Sequence, residues 1–208
     1  MRINQVLVLI FFLGSSYCCS NRPSTNEDWY KNEDEIISQL FWELIKPMPP
    51  FFPKDTTKEA IKIFENDLQK WIVDNRFQLY LKDSLKRPEK SVYRKSNINA
   101  DFDRLSFNLF NDSLMSSRTI NISGIPVRNN FKIYTNILDY DNFNEKIKDP
   151  TFLGVYEFSH IVFNATYTKA CFYFSEVRGP ESGGGLLIFA EKENSKWIII
   201  HRILAWVS

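Results

Sequence analysis

Three residues of this chain carry the side chains of a thiol hydrolase: Cys171, His160 and His201. A cysteine thiolate attacks an acyl carbon when a histidine base lies within hydrogen-bond reach in an electropositive setting. Cys171 lies inside a predicted strand among aromatic residues, whereas catalytic cysteines more often begin a helix or follow a loop. The sequence therefore favours a buried structural cysteine, and a hydrolase using Cys171 with His160 or His201 is the alternative. Two histidines and no closely spaced ligand pair predict no metal site, and no motif indicates a cofactor.

The segment from Arg178 to Gly185 is the best candidate for ligand contact. Consecutive glycines can present backbone amides to an anion, and we assign this role to Gly183, Gly184 and Gly185, with Arg178 as a nearby cation. A phosphate-binding P-loop needs Gly-Lys-Ser/Thr leading into a helix, and here the glycines lead into a predicted strand. The sequence favours the simpler interpretation that the glycines supply the positive φ angles of a hairpin turn, and ligand contact is the functional alternative.

Two carboxylate pairs have the residue types for acid–base work or cation binding. Asp101 and Asp103 lie in a predicted polar stretch, and Glu33 and Glu35 lie on a predicted helix. Residues two apart on a helix do not share a face. We therefore predict solvated surface for both pairs.

The first nineteen residues predict export from the cytoplasm. Arg2 gives a positive start, Val6–Leu13 is an unbroken apolar run, and the small residues of Gly14–Ser16 precede Cys18 and Cys19. The run is about half of the roughly 20 residues that a membrane-spanning helix needs. It is therefore interpreted as an export signal over residues 1–19.

A cysteine directly after an export signal resembles the lipidation site of bacterial lipoproteins. In that family the signal is removed just before a cysteine, which then carries the lipid. Cys18 follows the bulky Tyr17, while Cys19 follows the small Cys18, so Cys19 is preferred to Cys18. Cleavage after Ser16, which would release a periplasmic or secreted protein, is the alternative. The resemblance implies attachment to the membrane by a lipid, with residues 20–27 as a polar tether.

The composition of the chain predicts a single globular domain without disulfides. The chain has 208 residues, of which 44% are hydrophobic and 15% aromatic, enough for a sizeable core. Removing Arg2 with the signal leaves 25 of the 26 basic residues against 25 acidic ones, so no basic excess predicts nucleic-acid binding. Apart from the two signal-end cysteines only Cys171 is present, so the domain must fold on its core rather than on disulfides.

Two amphipathic helices are predicted first. The segment from Asp28 to Lys46 has apolar residues at helical spacing and ends at Pro47. A capping box, with Thr56 as N-cap and Glu59 reaching back, begins a second helix over 57–74. We expect these helices to pair or to cover one sheet.

Strands dominate from Phe77 onward. Arg87–Ala100 is predicted as a loop and Asp141–Lys148 as a short helix. Strands are predicted near Phe77–Lys82, Phe107–Phe110, Arg118–Ile122, Phe131–Ile137, Val155–Phe163, Lys169–Val177, Leu186–Lys192 and Lys196–Val207, the last four as an antiparallel meander around a turn at 178–185. The fold class is α+β: one domain over 28–208, with two N-terminal helices followed by a mostly antiparallel sheet.

The last fifty residues contain a set of short motifs. They are Ser159, Phe163–Asn164, Thr168–Ala170, Gly179 with Gly183–Gly185, Lys192 with Lys196–Trp197, and Trp206–Ser208. This block resembles a family of uncharacterised exported proteins of Bacteroidota-type bacteria. Members often place two cysteines in the glycine-rich hairpin, where this chain has Arg178–Ser182, so no disulfide or metal site is implied here. The resemblance implies a fold and a compartment but no chemistry.

Together these features favour an exported, lipid-anchored protein of the cell envelope with a non-catalytic binding or accessory domain. Its expected partners are the membrane, through the lipid, and an envelope protein or glycan that contacts the glycine-rich hairpin or an uncovered sheet face. A small hydrolase and a purely structural domain of a larger assembly are the alternatives.

Overall fold

The computed structural model describes residues 26–47, 55–111, 116–135 and 140–208. The predicted signal, both candidate lipidation cysteines and most of the predicted tether lie outside these residues. The elements in chain order are α1 (Asn26–Leu44), α2 (Lys58–Asp74), β1 (Phe77–Leu81), β2 (Ser84–Leu85), α3 (Ala100–Asn111), β3 (Arg118–Thr119), β4 (Phe131–Tyr134), α4 (Tyr140–Lys146), β5 (Phe152–Phe163), β6 (Lys169–Gly179), β7 (Ser182–Glu193) and β8 (Lys196–Val207), with short 3₁₀ turns at Lys90–Val92 and Ile122–Gly124.

The main sheet has six strands in the order β4-β1-β5-β6-β7-β8. Strands β5 to β8 form an antiparallel meander, and β1 runs parallel to both of its neighbours, β4 and β5. Strands β2 and β3 form a separate antiparallel pair. The predicted α+β class, with helices first and a four-strand meander last, is confirmed. Among the described helices, none has the length and apolar character needed to cross a membrane.

The first two helices pack on the same face of the sheet. The apolar stripe of α1 is buried except at its last residue, Leu44, which is partly buried. Phe41 stacks on Phe158 of β5 with ring centroids 6.1 Å apart. Helix α2 is held more loosely, because no residue of it is fully buried and it contacts the sheet mainly through Trp71 against Phe77. The structural N-cap of α2 is Thr57 rather than the predicted Thr56.

The opposite face of the sheet is covered by α3, where the sequence predicted a loop and then a strand at Phe107–Phe110. Phe102, Leu105 and Leu109 recur at helical spacing and are buried, while Phe107 is 56% exposed. Asn99 caps the helix by accepting a hydrogen bond from the amide of Phe102 at 3.1 Å. The strand prediction was wrong because its four-residue window was too short to show the helical period.

The first turn of α3 also contains Asp101 and Asp103, which the sequence placed in a polar loop. Asp103 accepts hydrogen bonds from the Ser96 hydroxyl and, at 3.1 Å, from the amide of Asn97. The bond from Ser96 lowers the pKa of the Asp103 carboxyl. Asp101 remains half-exposed beside Lys169. These carboxylates position a helix end, where negative charge is favourable, rather than form a cation site.

Glu33 of α1 is fully buried, which corrects the prediction that the Glu33/Glu35 pair is solvated surface. Its Oε2 accepts from Arg118 Nε at 2.6 Å, and its Oε1 accepts from the amide of Ile161 at 2.8 Å. The same Oε1 lies 3.0 Å from Nδ1 of His160. A bulge in β5 between Phe158 and Ile161 turns these groups toward the helix.

Replacing Glu33 by Gln is expected to lower the free energy of unfolding by about 3 kcal/mol, because it leaves the buried Arg118 without its closest carboxylate. The matched control is Glu35→Gln, which removes a partly exposed pair with Lys192 and is expected to cost less than about 1 kcal/mol. Urea unfolding followed by tryptophan fluorescence measures both. An equal decrease in the free energy of unfolding of the two variants would contradict the role of Glu33 as a buried carboxylate that holds α1 on the sheet.

Candidate functional site

The hairpin between β6 and β7 turns through only two residues, Pro180 and Glu181. The predicted eight-residue turn is therefore wrong, and Gly183–Gly185 lie inside β7. None of these three glycines has a positive φ angle; among the described glycines only Gly154 does, at 125°. The glycines are thus not explained by turn geometry. Strands β6 and β8 flank β7 at these glycines. The peptide groups of the glycines are therefore part of the sheet and do not form an open anion site.

Two of the glycines make room for Trp206 of β8 on the α3 side of the sheet. A Cβ atom at Gly185 would clash with the indole of Trp206 and lie 2.5 Å from the hydroxyl of Tyr173. At Gly183 a Cβ would lie 3.2 Å from Trp206 and 2.9 Å from the carbonyl oxygen of Glu176. The indole donates a hydrogen bond to the Tyr173 hydroxyl at 2.5 Å. Gly183 and Gly185 are therefore packing requirements of the hairpin.

Gly184 belongs to the opposite face, because successive residues of a strand alternate between faces. It pairs with Glu176 on one side and with Val207 on the other, and the next row of that face is Phe174, Leu186 and Leu204. The missing side chain leaves a gap in the first row. A cavity of about 350 Å³ opens there, which we call the hairpin pocket.

The wall of the hairpin pocket is apolar on one side and polar on the other. Its apolar side chains come from the last residue of α1 and from three strands: Leu44, Phe174, Leu186, Leu204 and Val207. Its polar side chains are Glu176, Arg178 and Ser182. This mixture suits a small molecule with an apolar body and a few polar groups.

Arg178 is fixed at the polar end of the pocket. Its Nη2 donates to Glu176 Oε2 at 2.9 Å and to the carbonyl oxygen of Lys46 at 3.3 Å, and its Nε donates to the same Glu176 oxygen at 3.2 Å. These bonds join the hairpin to the chain just after α1. Within the described part of the chain, Arg178 Nη1 and Glu176 Oε1 make no hydrogen bond.

The structure thus brings three of the four sequence-predicted ligand residues together. Arg178, Gly183 and Gly184 line the hairpin pocket, whereas Gly185 lies beneath Trp206 on the other face. Their contact with a ligand stays a prediction. The sequence could not assign the glycines to different faces, because that requires knowing that the strand begins at Ser182.

The residues of the candidate thiol hydrolase are not brought together. Cys171 is fully buried in the α3-side core, and burial raises the pKa of its thiol well above the ordinary value. His201 lies in the same row beyond Phe189, two strand spacings or about 10 Å away. His160 instead bonds Glu33 of α1, on the other face. Neither imidazole is within hydrogen-bond reach of the thiol.

Glu33 and His160 form a carboxylate–imidazole couple of the kind that orients a catalytic base. The couple is sealed, because the side chains are 0% and 2% exposed. His160 Nε2 has no hydrogen-bond partner among the described residues, so no nucleophile completes the arrangement. Sequence reasoning missed this couple, although Glu33 shares the helical spacing of Ile36, Ile37 and Leu40. That spacing is the signal that identifies it as a core position.

Within the described ranges, no group of three His, Cys, Asp or Glu side chains is arranged to hold a metal ion. Comparisons with protein-family models, curated proteins and solved structures found no match to this chain.

Cys171 is expected to react with a maleimide reagent about a hundredfold more slowly in the native protein than in urea, because labelling requires local opening of the core. The measurement uses a variant without Cys18 and Cys19. The matched control adds Cys171→Ala and His201→Cys, which moves the thiol to an exposed position in the same row and should label rapidly. Rapid native labelling of Cys171 itself would restore the hydrolase alternative.

Proposed function

We propose that this chain is an exported, lipid-anchored cell-envelope protein whose domain binds a ligand without chemical turnover. The hairpin pocket supports the binding role, because its volume of about 350 Å³ lies within the range of small-molecule sites. The buried Cys171 thiol and the separation of both histidines from it give catalysis no support.

The predicted anchor precedes the first helix, and the pocket lies at the end of that helix. Asn26 begins α1 seven residues after Cys19, and seven residues span at most about 25 Å. The 19-residue helix is then about 28 Å long and ends at Leu44, which lines the pocket. The predicted lipid on Cys19 is therefore joined, through the predicted tether, to the end of α1 that does not line the pocket.

Metabolic labelling with an alkyne fatty acid tests the anchor. The full chain, produced in a bacterium with a lipoprotein pathway, is expected to incorporate the label and to lose it in Cys19→Ser. Cys171→Ser is the matched control and should remain labelled, since that residue is in the core. Loss in Cys18→Ser alone would assign the lipid to Cys18, and an unlabelled wild type would favour the secreted alternative.

The binding role is tested with residues 20–208 immobilised by the N-terminus and exposed to envelope extract of the source bacterium. Gly184→Leu is expected to abolish retention, because a side chain at this position enters the pocket and a Cβ there meets only the carbonyl oxygen of Trp206, at 3.6 Å. Gly179→Leu is the matched control: the same exchange in the same hairpin, at a glycine that does not line the pocket. Retention that both variants keep would refute the pocket as the binding site.

A further inference from the structure

We infer that the hairpin pocket binds a free apolar α-amino acid in its zwitterionic form, an inference that rests on the proposed binding function. The argument combines the charge pair at the polar end of the pocket with the apolar wall beside it.

The charge pair is neutral overall, partly exposed, and has polar atoms available to a ligand. Arg178 and Glu176 neutralise each other at 2.9 Å, yet one terminal nitrogen of the guanidinium and one oxygen of the carboxylate have no partner in the described structure. A ligand that carries only a negative charge would satisfy Arg178 but repel Glu176, and a cation would do the reverse.

A zwitterion matches both groups at once. The carboxylate and the ammonium of an α-amino acid are attached to the same carbon, so one small ligand can present both charges to the two members of this hydrogen-bonded pair. The ligand carboxylate accepts from Arg178 Nη1, and its ammonium donates to Glu176 Oε1. Charge-assisted bonds of this kind are roughly twice as strong as neutral ones.

The remaining wall selects an apolar side chain. Leu186 and Leu204 lie one row from the charge pair, and Leu44 of α1 and Phe174 complete that side. Gly184 supplies the space, because any larger residue between Glu176 and Val207 would place its side chain where the ligand must enter. A branched aliphatic side chain fits this wall, whereas a charged one would lose its hydration there.

Three probes with the same side chain and different charges test the inference: zwitterionic L-leucine, anionic N-acetyl-L-leucine, whose ammonium is replaced by an acetamide, and cationic L-leucinamide, whose carboxylate is replaced by a carboxamide. Each is titrated into ¹⁵N-labelled residues 20–208, which contain every described element, and amide shifts are followed. We expect L-leucine to bind at least tenfold more tightly than the anionic or the cationic probe, with the largest shifts at Gly183 and Gly184. Equal or tighter binding of N-acetyl-L-leucine or L-leucinamide would overturn the zwitterion.

Variants locate the binding. Arg178→Gln and Glu176→Gln are each expected to weaken L-leucine at least tenfold and to reduce the preference over one singly charged probe. Gly184→Leu should abolish binding and Gly179→Leu should leave it unchanged, so the result does not depend on a variant that removes a charge partner. L-leucine binding that survives Gly184→Leu would overturn the site. If no probe binds but envelope retention is still lost in Gly184→Leu, the ligand class is wrong and the proposed binding function stands.

Discussion

The buried carboxylate of Glu33 is the constraint on which the arrangement of this domain depends. A charge taken out of water must be compensated locally, and here the compensation comes from three groups on two separate parts of the chain. Arg118 of β3, His160 and the amide of Ile161 converge on one side chain of α1. The helix therefore cannot slide along the sheet, or the β2–β3 pair detach from it, without leaving a buried charge exposed to apolar surroundings.

That fixed helix also determines the site. Because α1 is held in register on the sheet, its last residue, Leu44, reaches the meander beside Leu204, and the chain just after it accepts a bond from Arg178. The hairpin pocket is thus bounded by an element from each end of the domain. Its polar end is formed by β6, and its opening exists because β7 lacks a side chain at Gly184.

The large elements could be predicted from sequence because their hydrophobic patterns extend over many residues. Helix α1 spans about five turns, and β8 was bounded correctly at Lys196–Val207. Short patterns failed: Phe107–Phe110 alternates locally, yet Phe102, Leu105 and Leu109 make it part of a helix. The prediction for Glu33 was wrong for another reason. A carboxylate in an apolar stripe is buried only if residues distant in the chain bond to it. The pairing of Glu33 with Arg118, 85 residues away, is a tertiary fact that no local pattern contains.

The three adjacent glycines assign two properties to different positions: the packing of the hairpin depends on Gly183 and Gly185, and the volume of the pocket depends on Gly184. Positions 183 and 185 are committed to Trp206, so exchange there disturbs the hairpin, whereas position 184 borders open space. A substitution at Gly184 alone can therefore narrow or close the cavity, because its Cβ would meet only the carbonyl oxygen of Trp206, at 3.6 Å. The volume of the hairpin pocket can therefore change at one position while the contacts of Trp206 with positions 183 and 185 are retained.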